Sequence, residues 1–317
     1  DSVSSTAFGD YPFRTRERQY GWQNELALPH GTATLAVERR EERIDEQAGF
    51  AVTRRDTNAV VGVLQVARSE HTLQANLRYD RSTQYGGQTT GAIAWGYRLA
   101  PQWRVTASYG TAFKAPSFND LYYPGFSNPG LAPETARNVE GSVHWSGQLG
   151  AWRTGARAVA WYNKVDELIV FQCDDAFNCA PRNVARATLA GVTLAGDAAW
   201  QGTSIRASVD LQQPEDDATG RLLPRRAQRH GSLVVAQAVG PAQLVVELIA
   251  SSYRYDDAEN ARRLGGYAIV NVAVEWPVGR GVTLLARADN AFDKDYALAY
   301  GFATGGARAF VGVRWQP

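Results

Sequence analysis

Apolar and polar side chains alternate along much of this chain with a period of two. Leu73, Ala75, Leu77 and Tyr79 interleave with Gln74, Asn76, Arg78 and Asp80. Ile205, Ala207, Val209 and Leu211 interleave with Arg206, Ser208, Asp210 and Gln212. Leu284, Ala286 and Ala288 alternate with Thr283, Arg287 and Asp289, with Leu285 as an apolar exception. Successive side chains of a strand point to opposite faces, so these stretches put apolar groups on one face and charged groups on the other. Helical periodicity is weak throughout, and the pattern predicts an all-β chain.

The predicted strands run about ten to fifteen residues, against about five or six in soluble sheets. A strand that crosses a bilayer at a tilt needs about nine to eleven. The connections alternate in length. Short ones fall near Pro29-His30, Ser69-Glu70, Ala100-Pro101, Gln148-Ala151, Gln201-Gly202, Gly240-Pro241 and Pro277-Arg280. Longer ones span 46–51, 84–87, 114–133, 171–180, 214–224, 257–265 and 292–305. Short turns at one end and long loops at the other are the organisation of outer-membrane barrels, with the turns in the periplasm.

Tryptophan placement agrees. Of the nine Trp, Trp95, Trp103, Trp145, Trp152, Trp200, Trp276 and Trp315 lie within a few residues of a short turn or of the C-terminus, while Trp22 and Trp161 sit deeper in strands. Trp prefers the membrane–water interface, and a soluble sandwich gives no reason for such segregation. The count is about fifteen strands, the last ending at Trp315 on the periplasmic side. The first then begins outside, with residues 1–13 in an outer loop. Bacterial single-chain barrels have an even strand number and both ends periplasmic, so further strands are expected upstream. The sequence has no methionine, which likewise predicts a segment of a longer polypeptide.

Composition narrows the classes. With 33 Lys and Arg against 32 Asp and Glu, the net charge is +1 and gives no reason to expect a nucleic-acid partner. No apolar run reaches the roughly 18 residues of a transmembrane helix. A soluble β protein and a membrane barrel remain, and the barrel has no hydropathy peak because lumen-facing polar residues alternate with lipid-facing ones. The two cysteines, Cys173 and Cys179, lie in the polar stretch QCDDAFNC. They are too far apart for a CxxC motif and lack a second pair for a zinc site. A local disulfide suits an oxidising compartment; two free thiols are the alternative.

Several stretches resemble TonB-dependent receptors, and within them the vitamin B12 receptor branch. YGTAFKAPSFNDLYYPGFSNPGLAPE, Tyr109 to Glu134, resembles the family's Lys-Ala-Pro, Asn-Pro and Leu-x-Pro-Glu signature. YNKVDELI (162–169), NVARATLAGVTL (183–194), LLPRRA (222–227) and NAFDKDY (290–296) follow in family order. YDRSTQYGGQTTGAIAWGYRL, Tyr79 to Leu99, is similar to B12 receptors in particular. The resemblance implies a transmembrane antiparallel β-barrel of 22 strands, of which about seven lie upstream with a signal peptide, a TonB-binding box, a plug domain and acidic calcium-binding loops. It implies no cofactor in this part. It also implies uptake of cobalamin or another metal chelate through the outer membrane, with TonB acting on the plug. The final alternation Ala309-Val311-Val313-Trp315 fits a last strand, although Gln316 and Pro317 follow the aromatic residue on which family barrels usually end.

Arg225, in LLPRRA, resembles an arginine that contacts the corrin ligand in B12 receptors. A guanidinium there can donate to amide carbonyls or a phosphate; the plainer reading is an arginine at a strand top, facing the lumen or lipopolysaccharide. Asp174, Asp175, Asp216, Asp217, Asp256, Asp257 and Glu259 form acidic loop clusters. They lack EF-hand spacing and are expected to be solvated rather than to hold calcium. Tyr122, Tyr123, Phe126 and Tyr255 are expected to pack the loops against the rim, with stacking on a planar ligand as the alternative. The histidines His30, His71, His144 and His230 are scattered, and no catalytic motif is present. The chain is therefore expected not to be an enzyme. Competing readings are a siderophore receptor, a structural or adhesive barrel without transport, and a soluble secreted sugar-active β protein.

Overall fold

A computed structural model describes residues 2–6, 9–44, 49–173 and 178–316. It begins with a hairpin of β1 (Ser2–Thr6) and β2 (Gly9–Phe13). Twelve strands follow: β3 (Thr15–Leu28), β4 (Gly31–Ile44), β5 (Arg54–Arg68), β6 (His71–Ser82), β7 (Gly86–Ala100), β8 (Trp103–Lys114), β9 (Glu134–Leu149), β10 (Trp152–Cys173), β11 (Cys179–Trp200), β12 (Thr203–Asp216), β13 (Arg229–Val239) and β14 (Ala242–Ser251). After a small pair, β15 (Arg254–Tyr255) and β16 (Arg263–Leu264), come β17 (Tyr267–Gly279), β18 (Val282–Asp289) and β19 (Arg308–Trp315). One short helix, α1 (Phe118–Tyr122), lies between β8 and β9. Strands β3 to β14 and β17 to β19 form one fifteen-stranded sheet in chain order.

The short turns fall where turn residues break the alternation, as at Pro29-His30, Ser69-Glu70 and Gln201-Gly202. Three details differ from expectation. Residues 2–6 and 9–13 form their own two-stranded sheet rather than irregular loop. The connection at 84–87 is not long: β7 already starts at Gly86, directly after a tight turn. Gly86 has φ +74°, and a Cβ at Gly87 would lie 2.8 Å from the Tyr79 hydroxyl, so both glycines serve the turn's geometry. The connection at 171–180 is also shorter, because β10 and β11 each run 22 residues.

The chain divides into two compact units. The first comprises residues 1–97, 106–140 and 163–187. Its registers stack apolar side chains in rows on one face. Leu28, Gly31, Val66, Leu73 and Trp95 align nearest the short turns. Trp22, Val37, Val60 and Tyr79 align farther along the same face. The opposite face carries Glu38, Arg78 and Asp80, where Arg78 donates to both oxygens of Asp80 at 2.8 Å and to Glu38 at 2.9 Å. Burial is inverted relative to a water-soluble protein. Leu77 is 63% exposed, while Asp80 is 3% exposed. A continuous exposed apolar face of this kind needs a non-aqueous partner.

The second unit comprises residues 98–105, 141–162 and 188–317. Trp276, Leu284 and Val313 share one apolar row, and Val274, Ala286 and Val311 the next. The other face carries polar pairs, including Glu247–Asn271 and Glu275–Arg314, both 2.8 Å. Leu285, the exception to the alternation, lies on this polar face opposite Gly312. Trp152 and Trp200 pack with ring centroids 5.6 Å apart and planes tilted by 45° near the short turns, as the interfacial preference of indole predicts. Trp22 lies in the interior of β3, away from the short turns, one row from Tyr20 and Arg39.

Candidate functional site

The long loops are held by the stretches that resemble family signatures, and each unit has its own set of anchors. In the first unit, residues 115–133 leave β8 and fold back through α1. Ser117 caps the helix: its Oγ accepts from the Asp120 amide at 3.1 Å, and Asp120 Oδ2 accepts from the Ser117 amide at 2.8 Å. Phe118 packs with Ile44, Phe50 and Tyr122. Arg55, only 6% exposed, fastens this cluster to β4 and β5. It donates to both oxygens of Glu42 at 2.7 and 2.9 Å, to Gln84 Oε1 at 3.0 Å and to the Pro116 carbonyl at 2.9 Å. Its guanidinium lies 5.0 Å from the Phe118 ring centroid. A buried guanidinium with its charge paired and several N–H groups satisfied makes a strong local clamp.

The later part of the same loop is tied to β9, β10 and β11. Glu134 Oε1 accepts from Lys114 Nζ and from the Ile169 amide, both at 3.0 Å. Asn128 donates to the Pro181 carbonyl at 3.2 Å. Asn183 accepts from the Ala132 amide and donates to the carbonyls of Ala132 and Glu167. Glu167 has φ +58°, an unfavourable setting for a side chain with Cβ, and the Asn183 bond at 2.6 Å helps to hold it. Lys114, Asn128, Glu134, Glu167 and Asn183 come from three separate signature stretches. The fold brings them together as a loop anchor. Sequence reading named the stretches but missed the roles of Asn183, Arg55 and Glu42, since each acts on partners far along the chain.

In the second unit, LLPRRA meets the 252–266 loop. The Arg225 amide donates to the Tyr255 carbonyl at 2.6 Å, and its Nε donates to Asp256 Oδ1 at 2.7 Å. Arg225 has φ +59°, so these two bonds fix an otherwise disfavoured backbone. Its side chain is 57% exposed and that of Asp256 11%. Burial pushes the Asp256 carboxyl up, but the Arg225 hydrogen bond, a backbone hydrogen bond from Tyr300 and the charges of Arg225 and Arg262 outweigh this and hold it below its ordinary value. Asn260 completes the seam by bonding both the amide and the carbonyl of Leu222. The third loop joins through Arg262, which lies 5.2 Å over the Tyr300 ring. NAFDKDY folds on itself: Asn290 bonds the amide and carbonyl of Lys294, and Asp293 accepts from the Ala307 amide.

The acidic clusters are used for backbone capping. Asp216 accepts from the Ala218 amide, and Asp257 accepts from the amides of Ala261 and Arg262. Among the described residues no group of three His, Cys, Asp or Glu side chains is placed to hold a metal. Asp174 and Asp175 lie outside the described residues. Tyr122 packs in the Phe118 cluster and receives a hydrogen bond from Gln84, Tyr123 meets Phe50 edge-on, and Tyr255 meets Tyr253 edge-on. Phe126 remains exposed. Cys173 and Cys179 are joined in a disulfide at the ends of β10 and β11. Of the histidines, His71 accepts from Trp95 Nε1 and stacks on Tyr97, and His144 bonds Ser142.

The family model "TonB dependent receptor-like, beta-barrel" matches residues 2–291. A curated vitamin B12 transporter BtuB from Photobacterium profundum is 30% identical across 89% of this chain and 47% of its own length. The BtuB of Vibrio cholerae is 30% identical across 99% of this chain and 51% of its own length. The chain thus spans about half the length of these relatives. Among solved structures, the ferric enterobactin receptor PfeA of Pseudomonas aeruginosa superposes with a TM-score of 0.78 at 15% identity, over 97% of this chain and 54% of that one. The copper transporter OprC gives 0.77 at 17% identity, over 96% and 59%. At such identities these two establish the fold alone. The family match over nearly the whole length, the inverted burial and the alternating turns and loops agree: this chain belongs to the TonB-dependent receptor β-barrels of the Gram-negative outer membrane.

Proposed function

We propose that the chain is the C-terminal barrel and loop part of a receptor that moves vitamin B12 across the outer membrane, with energy delivered by TonB. The observation that carries this reading is the 30% identity to transporters of that name along almost the whole chain. The loops bind the ligand from outside, and a plug domain and TonB act from the periplasmic side. The geometry gives the loops a defined chemistry. Anchored loops lose little conformational entropy on binding, which favours capture of a scarce ligand. Arg225 is held at Nε by Asp256 while the outer part of its guanidinium faces solvent. A guanidinium fixed in this way is a preorganised fork for a phosphate or amide oxygen. Cobalamin offers both, beside a broad planar macrocycle for which Tyr300 and Phe302, both exposed, are suitable neighbours. The polar face of the strands is the lining that a plug and a passing ligand meet.

The test is binding to the complete receptor in detergent, with cyanocobalamin and a ferric siderophore titrated in parallel. The expected result is tight cobalamin binding and none of the iron chelate. Arg225→Ala is expected to weaken cobalamin binding about tenfold, the order of one charge-assisted hydrogen bond. Preference for the iron chelate would replace the ligand assignment. Unchanged cobalamin affinity in Arg225→Ala would remove the role of that residue alone.

A further inference from the structure

The polar face of the first unit is not closed by its own side chains. Toward the long-loop end of that face, Arg40 pairs with Thr57 and Thr57 with Ser82. One row nearer the short turns, Ala59 stands between Glu38 and Asp80. Glu38, Arg40, Thr57, Asp80, Tyr85 and Phe113 line a cavity of about 240 Å³ there. A water takes up about 30 Å³ of liquid, so this space equals roughly eight waters, about the bulk of one pyranose ring.

The wall has open hydrogen-bonding groups and no excess charge. Arg78, which also lines the cavity, donates to both oxygens of Asp80 and to Glu38 Oε2. Asp80 is thereby used up, whereas Glu38 keeps Oε1 as an acceptor. Arg40 meets Glu42 at 3.6 Å, beyond hydrogen-bond length, so its N–H groups stay open. Thr57 is 5% exposed, and its Oγ1 has no hydrogen-bond partner. The neighbouring Ser82 hydroxyl does not serve it, since that oxygen accepts from the Gln84 amide. A buried hydroxyl left unpaired is costly, and native structures rarely keep one that nothing completes. The Tyr85 and Phe113 rings, with centroids 5.5 Å apart, give the cavity an apolar wall.

We propose that this cavity binds a neutral polyhydroxylated solute of monosaccharide size. The charges select neutrality: Glu38 and Asp80 oppose an anion, and Arg40 and Arg78 oppose a cation. The open groups select hydroxyls. Glu38 Oε1 accepts from one, Arg40 donates to another, and the Thr57 hydroxyl does either. The C–H face of a sugar ring suits the Tyr85 and Phe113 wall. The volume admits one ring and rejects two. None of these residues is among those proposed above to meet cobalamin, and the test reads binding rather than uptake, so either reading can fail without the other.

Saturation-transfer NMR of the complete receptor, in the sugar-free detergent lauryldimethylamine oxide, tests the assignment with D-glucose, maltose, phosphate and choline as probes. D-Glucose is expected to give a saturable signal. Maltose is expected to bind at least tenfold more weakly, and neither phosphate nor choline to displace glucose. Thr57→Val keeps the side-chain shape and removes the unpaired hydroxyl. It is expected to leave Tm at or above that of the parent while glucose binding weakens about tenfold, the order of one hydrogen bond. Ala115→Phe, which fills the cavity from its loop side, is expected to abolish the signal. Absence of a saturable glucose signal from the folded receptor would overturn the proposal and leave water as the occupant. So would displacement of glucose by phosphate or choline at equal concentration, or undiminished glucose binding in either folded variant.

Discussion

Arg55 shows how one side chain sets the conformation of the loop of residues 115–133. Its four hydrogen bonds reach β4, the β6–β7 turn and the start of the α1 loop, and its charge is matched by Glu42. Arg55→Ala leaves the half-buried Glu42 with only Arg40, 3.6 Å away, at a cost of up to roughly 3 kcal/mol, the order of a broken buried pair. The expected outcome is a folded barrel in which residues 115–133 are cut by protease much faster than in the parent chain; an unchanged cleavage pattern would contradict the clamp. The Arg225–Asp256 pair gives a pH-dependent prediction. The Asp256 carboxyl is held below its ordinary 3.8 in the folded state, so the unfolded state binds its proton first as pH falls. The stabilisation from this pair is complete above the ordinary carboxylate range and is lost as pH falls through the lowered folded value. Hydrogen exchange of the Arg225 amide, bonded to Tyr255, should therefore stay slow from pH 7 to 5, after correction for intrinsic rates, and quicken only in more acid solution. A transition centred near neutrality would show that another group governs the seam. Residues such as Asn183 and Asp256 were not legible beforehand, because their partners lie 51 and 31 positions away and only the fold supplies them.

At the scale of the strand, the period-two pattern was sufficient to place most elements. Leu73 to Asp80 alternate in the sequence, and in β6 the apolar members face outward while Asp80 is buried in a charge pair. The same alternation in a soluble sandwich would bury Leu77 instead. Turn residues such as Pro29-His30 and Gly240-Pro241 marked the strand ends because they interrupt the alternation locally. The errors came from elements whose ends are set by tertiary contact. Gly86-Gly87 reads as loop, yet Gly86 takes positive φ at the turn and Gly87 makes room for Tyr79. Strands β10 and β11 reach 22 residues because their tips are tied by Asn183 and by the Cys173–Cys179 link. A direct check of the outward assignment is Leu77→Arg compared with Asn76→Arg, one residue away on the polar face. The first is expected to lower stability in lipid vesicles by about 2–4 kcal/mol, as a charge near mid-bilayer does, and the second by much less. Equal costs in a denaturant titration would reverse or abolish the lipid-facing assignment.

At the scale of the molecule, the proposed recognition chemistry belongs to the long loops and the membrane chemistry to the strands. The loops are not free coils: one set is clamped through Arg55, Glu134 and Asn183, and another through Arg225, Asp256 and Asn260. The family signatures therefore mark how the loops are held. The barrel was legible from alternation, strand length and tryptophan placement, while the proposed ligand rests on likeness to relatives alone. Uptake of radiolabelled cyanocobalamin by cells whose own receptor gene is deleted, complemented with the full receptor and assayed with and without TonB, tests the central claim most directly. The account predicts saturable uptake that disappears when TonB is removed and that an excess of ferric siderophore does not compete away. Absence of cobalamin uptake by a receptor shown to be folded in the outer membrane would contradict it.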